Sequence, residues 1–435
     1  MSQDGKQPPT AGAEIGRQVL MTLLRERSLL PTLEIMHAEV GDIFQVTLPS
    51  FRPVFLAGPT YNRQVLVDQR DRFLWRSESD PVTRLLGHGL LVEDGEKHDY
   101  YRGLMEPALH RKHIYEHVDA MIRDTNEIIC GWEDGRDYDM LVEMRKIALL
   151  ILMDTMFGID FRDDMERMWE PILKAIKYIS PGPWIIWPDI PRPGYKKALD
   201  QLDTFLFEVI SRRRQKGEQG TPDLLTRLLD SDLTDRLIRD QMLTMIIAGH
   251  DTSTALLSWA LLLLGQHDDI MSKARREVDD VLGGQWPETE QAGDLRYLDQ
   301  VIKEALRLFP PIHVGNRIVS GDLQLDEYTI PDGSRVMYSI YLTHRDPDHW
   351  TEPEKFDPDR FDLSERGKRP ALSYVPFGGG PRNCIGAAFA QIESRIVLAR
   401  ILQTAELQLL SQPIKPYMGA TLEPSPGVMM RVNLR

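Results

Sequence analysis

Cysteine is nearly absent: the 435-residue chain holds two, Cys130 and Cys384. Two thiols cannot build a disulfide framework, so a stapled secreted scaffold is excluded and a reducing compartment is expected. An excess of base is absent too. The net charge of −14 argues against a nucleic-acid partner and gives no reason to expect a basic membrane-surface protein. Nothing reads as a linker, because no Ser/Gly or Pro run, internal repeat or low-complexity block interrupts the chain. One domain over 1–435 is therefore expected, although length alone would allow two or three. The polar start, Met1-Ser-Gln-Asp-Gly-Lys-Gln-Pro-Pro, leads into no signal or anchor pattern. About 1–13 are expected to be disordered and the chain cytoplasmic. One apolar stretch, 242–264, has membrane length, but His250 and Asp251 lie inside it. Charge at mid-membrane is costly, which predicts a buried helix instead.

What is present is organised around Phe377-Gly-Gly-Gly-Pro-Arg-Asn-Cys-Ile-Gly386. Three glycines and a proline exclude a regular helix or strand just before Cys384. Directly after it, Phe389, Ile392, Ile396, Leu398, Ala399 and Ile401 recur at near-helical spacing, which predicts a helix over 386–404. Cys384 then sits at a helix N-terminus, where unpaired N–H groups favour an anionic sulfur. A thiolate in a glycine loop can ligate a metal from one side. Cys130 falls in an apolar helical pattern and is expected to be inert core.

The remaining patterns are mostly helical. Residues 14–39 read as an amphipathic helix. Residues 42–48 and 53–57 alternate like two strands, with Pro49 and Ser50 in the turn. A short helix is expected over 60–69, an irregular apolar stretch over 73–92, and a helix over 96–110. On that last helix His98 and Arg102 are four apart and share a face. Helices are expected over 115–133, 139–158, 164–179 and 195–214. Between the last two, residues 180–194 hold five prolines and two tryptophans, which forbid a regular helix. Thr234 can cap a helix over 235–264, which would span about 45 Å. Its middle reads Ala248-Gly-His-Asp-Thr-Ser253. Gly249 leaves room for something flat to approach the backbone, and Thr252 can bond back to a carbonyl of the preceding turn. Asp251 suits a buried helix only with partners or as a proton carrier. On a helix over 297–309, Glu304 and Arg307 share a face at i, i+3. Residues 312–319 should be extended. Residues 323–330 and 334–341 should form a hairpin, as should 422–435 with its tip at 424–427.

Taken together, these motifs resemble the cytochrome P-450 family, the haem-thiolate monooxygenases. Phe377, Gly380, Arg382, Cys384 and Gly386 fit its haem-binding loop. The 248–253 segment fits its oxygen-activation pattern. Glu304 and Arg307, followed by His344-Arg-Asp-Pro347 and Phe356-Asp-Pro-Asp-Arg-Phe361, fit its Glu–Arg helix and later Arg segment. The resemblance covers roughly 30–435. It implies a mainly α fold with small β-sheets (α+β), with haem b between the long central helix and the cysteine helix. It implies Cys384 as the metal ligand, and His98, Arg102, Arg317 and Arg382 toward the haem propionates. Many relatives carry a Trp in the helix matching 96–110; none occurs here, so His98 would take its role. Ala248 and Gly249 would line the cofactor, while Asp251 and Thr252 would deliver protons. A triad of Glu304, Arg307 and Arg360 would lock the cysteine loop. The 180–194 segment would be a lid over the substrate entrance.

The activity implied is insertion of one atom of dioxygen into an apolar small molecule: a fatty acid, terpenoid, steroid or polyketide. Electrons would come from a ferredoxin- or flavodoxin-type partner and its reductase, docking near Arg111 and Lys112. No transmembrane anchor and a monomeric state are expected. A peroxide-using peroxygenase is the alternative, with a non-enzymatic haem sensor behind it. The intact Asp251–Thr252 pair favours dioxygen.

Overall fold

The long helix sets the architecture. Thr234 Oγ1 accepts from Leu237 N at 3.4 Å and opens a helix over Asp235–Gln266. Its 32 residues give it a length of about 48 Å. From Gln241 to Leu264 every residue is buried except Ala248, Gly249 and Thr252. Among the described residues it is the one helix long and apolar enough to cross a membrane, and its apolar surface is spent on the core. The computed structural model describes residues 6–26, 28–48, 51–182, 184, 190–216, 223–287 and 291–435.

Helices Met140–Phe157, Lys196–Lys216, Arg296–Leu308 and Ala387–Thr404 pack directly on the long helix. The first is buried nearly all round, as its unbroken apolar run requires. Trp259 marks how the layers join. Its ring stacks on Phe309 at 3.8 Å, and its Nε1–H donates to the Leu422 carbonyl at 2.8 Å. A side chain of that size contributes about 1.5–3 kcal/mol by burial. Here it also ties the C-terminal strands to the central helix.

The sheets are small. The largest runs in the order Ile43–Gln45, Val54–Leu56, Arg335–Ser339, Val314–Val319, Phe73–Leu74. Phe44 and Phe55 face each other across its first pair with rings 5.4 Å apart. A three-stranded sheet joins Arg136–Asp139, Met429–Leu434 and Ala405–Leu409.

Several expectations change. The single helix over 14–39 is two, Ala13–Glu26 and Leu30–Val40, with Pro31 opening the second. The disorder expected over 1–13 does not extend to residues 6–13, while 1–5 lie outside the described residues. Lys6 and Pro9 carbonyls accept from Thr329 and Gln45, which holds this segment against two of the sheets. The hairpin expected between 323–330 and 334–341 does not form. Leu323–Leu325 folds back on Tyr328–Ile330 instead, with Asp326 at φ 51° in the turn. Arg335–Ser339 lies between Val54–Leu56 and Val314–Val319. The C-terminal hairpin is also absent: Leu422–Ser425 pairs with Lys415–Met418, and Met429–Leu434 with two strands of another sheet. Alternation identifies a strand but carries no information about its partner. The stretch 73–92 contains a short helix, Pro81–Leu86, capped by Asp80. Cys130 is exposed at the end of Val118–Ile129, because its turn of the helix points off the apolar stripe. Positions 49 and 50 of the first turn, and 183 and 185–189 of the expected lid, lie outside the described residues.

Candidate active site

The cysteine loop is shaped by its glycines. Gly380 has φ 66°, and a Cβ there would lie 2.1 Å from the Leu66 carbonyl oxygen, so no other residue fits without displacing backbone. The loop closes where Cys384 N donates to the Phe377 carbonyl at 2.8 Å. Helix Ala387–Thr404 begins three residues later, as the spacing predicts. Cys384 keeps accessible surface although protein atoms crowd around it. Burial pushes its thiol pKa up, while the Gly386 N–H and the Arg102 charge oppose this. The helix start therefore helps an anionic sulfur, as expected, but desolvation outweighs it. A bound cation is what would make the thiolate favourable.

Opposite expectations meet at the donor cluster. Arg102 clamps the loop, donating from Nη1 to the Asn383 carbonyl at 2.8 Å and from Nη2 to Asn383 Oδ1 at 2.9 Å. Arg382 donates to Asp94 and to the Glu93 carbonyl. Both arginines are thus held by protein. His98 is buried and donates Nδ1–H to Asp99 at 2.8 Å, leaving Nε2 for another partner. Burial holds His98 below its ordinary pKa; Asp99 opposes this, and the charges of Arg382 and Arg102 add to it. Arg317 is buried, 7% exposed, and among the described residues has no carboxylate within ion-pair distance. Its Nη1 reaches only the Asn316 carbonyl, at 2.7 Å, and its charge is felt by Arg382. A buried guanidinium without a counter-charge is costly, so the site fits an anionic group at Arg317.

On the long helix, the accessible residues Ala248 and Thr252 are four apart and share one face in a buried stretch. Thr252 Oγ1 donates back to the Ala248 carbonyl at 2.6 Å, as expected. Gly249 also has a packing reason to be glycine. A Cβ there would lie 2.9 Å from Leu152 Cδ1, so its lack of a side chain lets helix Met140–Phe157 pack close. His250 is buried on the same side and donates from Nε2 to the Arg145 carbonyl at 3.0 Å, away from the open face.

Asp251 is 1% exposed. Its Oδ2 accepts from Thr421 Oγ1 at 2.8 Å, and its Oδ1 has no hydrogen bond, with Arg145 Nη2 standing 3.6 Å away. That nitrogen is engaged instead by Glu423 Oε1 at 2.5 Å. Burial, then the Glu423 charge, pushes the Asp251 carboxyl up to about 7. Thr421, Arg145 and Glu423 were missed as site residues. Each is brought to Asp251 from more than a hundred positions away, and no local pattern marks them.

The expected triad is assembled. Arg307 grips Glu304 with two bonds of 2.7 Å, both side chains fully buried. Arg360 Nε lies 3.3 Å from Glu304 Oε1, an ion pair without a good hydrogen bond. Arg307 also donates to the carbonyls of His344, Pro353 and Lys355. His344 carries the connection onward: its Nε2 accepts from Val375 N at 2.8 Å, two residues before Phe377. Burial, then the Arg307 charge, holds His344 down at about 3, so it is neutral and can accept.

A mostly helical fold with a glycine-cradled cysteine at the start of a helix that packs on the long helix, itself open at Ala248 and Thr252, defines a haem-thiolate class of protein. The chain matches the cytochrome P450 family over residues 9–431 and belongs to it. It is 32% identical over 436 residues to cyclooctat-9-en-7-ol 5-monooxygenase of Streptomyces melanosporofaciens, covering 96% of this chain and 92% of that one. It is 29% identical over 455 residues to the chloroplastic protein LUTEIN DEFICIENT 5 of Arabidopsis thaliana, covering 96% and 76%. Retinoic acid bound cyanobacterial CYP120A1 superposes with a TM-score of 0.87 at 26% identity, over 99% of this chain and 100% of that one. The cytochrome P450DA heme domain, at 24% identity and a TM-score of 0.89, supports the fold. The chain is accordingly a monooxygenase using haem b on a cysteine thiolate.

Proposed function

We propose that Cys384 is the thiolate ligand and that one domain over 1–435 inserts an atom of dioxygen into an apolar small molecule. The observation that carries this reading is the buried Asp251, half satisfied, beside the open Ala248–Thr252 strip. Haem, when bound, supplies dioxygen binding and the oxidising power. Arg317 and His98 meet its propionates, while Arg102 and Arg382 brace the loop and the Asp94 turn. Ala248 and Thr252 form the wall toward substrate. Thr252 presents a hydroxyl there, and Asp251, neutral for part of the time near pH 7, renews protons from the Glu423 side. Glu304, Arg307 and Arg360 hold the loop through His344.

Electrons come from a ferredoxin- or flavodoxin-type protein and its reductase. Arg111 and Lys112, exposed at the start of Arg111–Tyr115, are a basic docking point for it. The protein acts as a monomer in the cytoplasm. The similar proteins' names support an unsaturated apolar skeleton as substrate: one relative acts on cyclooctat-9-en-7-ol, and one neighbour binds retinoic acid.

The test is product formed per reductant oxidised, with a known substrate. Thr252→Ala should bind substrate and consume reductant yet release mostly hydrogen peroxide. Wild-type coupling in that variant would make the peroxide-using reading the better one. As a control on the ligand, Cys384→His should lose the red-shifted carbon monoxide band of the reduced protein, and Cys130→Ala should keep it.

A further inference from the structure

A second cavity, of about 410 Å3, opens where three helices meet. Pro81–Leu86 brings Arg84, Arg162–Ile179 brings Tyr178, and Lys196–Lys216 begins with Lys196. All three helices pack on the long helix. Arg192, Tyr195 and Asp200 complete the polar part of the lining among the described residues.

Arg192 is the distinctive member. Its Nη1 donates to the Tyr178 carbonyl at 2.6 Å, and its guanidinium lies over the Tyr178 ring at 4.7 Å and the Trp184 ring at 5.1 Å. Stacking and one bond fix the group in place, with Nε and Nη2 bonded to no described residue and no described carboxylate paired to it. A pre-positioned planar fork with spare donors suits a carboxylate. Lys196 pairs with Asp200 at 2.7 Å, so it adds field more than a free donor.

Short links connect this cavity to the oxygen helix. Two residues beyond Tyr178, Ser180 Oγ accepts from Ala420 N at 3.0 Å. The next residue, Thr421, donates to Asp251. The helix that carries Tyr178 is therefore tied, just past its end, to the same segment that holds Asp251. Ile190, Pro191 and Leu199 supply the apolar part of the lining.

We propose that this cavity is an anion subsite anchored by Arg192, and that the natural substrate is an apolar body carrying an acidic head group. The proposal rests on the reading of the chain as a lipophile monooxygenase and narrows its substrate class. The head group seats on Arg192 at the rim, and the apolar body extends past Leu199 toward Ala248 and Thr252.

The haem-loaded protein is titrated with geranylgeranoic acid and with geranylgeraniol, which differ in the head group, following the spin-state shift of the ferric form. Wild type should bind the acid at least about tenfold more tightly than the alcohol, and the preference should shrink with added salt. Arg192→Gln should erase that preference and leave alcohol binding unchanged, while Arg192→Lys keeps part of it. Equal binding of acid and alcohol by wild type overturns the subsite while leaving the monooxygenase reading intact. A preference that survives Arg192→Gln also overturns it. Binding of neither compound counts against the lipophile reading and the subsite that depends on it. Sedimentation with phosphatidylglycerol vesicles separates the other source of anions: vesicle binding lost in Arg192→Gln, with no acid preference in solution, would assign the cavity to lipid head groups and refute the proposal.

Discussion

Two buried carboxylate–arginine clusters are built from the same groups with different completeness. At Glu304 both oxygens are bonded, to Arg307 and to the Asp357 N–H, and Arg307 spends its remaining donors on three carbonyls. At Asp251 one oxygen is bonded and the other is not, and the nearest arginine is turned to Glu423. A saturated cluster has one arrangement and a high cost of leaving it, so it serves as a fastener. An unsaturated one can exchange partners and protons at small cost. The difference lies in the count of hydrogen bonds, which is invisible in residue type.

Breaking the fastener should have the largest effect. Glu304→Ala leaves Arg307 buried without its counter-charge, which costs about 3–5 kcal/mol. The expected outcome is poor haem retention and a lowered denaturation midpoint. A fully haem-loaded variant of normal stability would show that the carbonyls around Arg307 suffice and that the comparison is mistaken.

Asp251→Asn should act on the pH dependence of stability. An unfolded aspartate titrates near 3.9, about where model peptides do. In the folded chain the carboxyl is held up at about 7. Between these values the folded state binds a proton that the unfolded state lacks, so stability falls as pH rises from about 4 to about 7 and levels off above. Removing the carboxyl should flatten that fall. Denaturation midpoints at pH 5 and pH 8 check this. Equal slopes in variant and wild type would place Asp251 among the saturated groups.

The contrast also explains what could be read from the chain. Cys384, Thr252, Glu304 and Arg307 were legible because each works within its own turn or helix, where spacing fixes geometry: the Thr252 bond to Ala248 is i to i−4, and the Glu304–Arg307 fork is i to i+3. Helices were legible for the same reason. Strand partners were not, and neither were the partners of Asp251. Arg145 gives no local sign of its role, and Glu423 sits in a segment that read as one arm of a hairpin. Gly249 shows a subtler limit. Its type was read as room for a flat ligand, and the claim of Leu152 on space at the same position is one that only packing reveals.

The smallest effect should come from Glu423→Gln, and it bears most directly on how the open cluster works. Glu423 is 17% exposed on its side chain and holds Arg145 by one short bond. A partly exposed pair of this kind contributes up to about 1 kcal/mol, so stability should hardly change. Its charge, however, helps to keep Asp251 protonated, after burial itself. With that charge gone, Arg145 is free to turn the 3.6 Å approach to Asp251 into a bond. Both changes favour the ionised carboxylate. The pH at which coupled turnover falls off should therefore move downward, by less than about one unit, since burial remains the larger cause. Product per reductant oxidised, measured from pH 6 to pH 8.5 in the variant and wild type, would detect the shift. An unmoved profile would mean that Asp251 draws its protons by a route that does not pass Glu423. An upward shift would contradict the assignment of Glu423 as a charge that raises the Asp251 pKa.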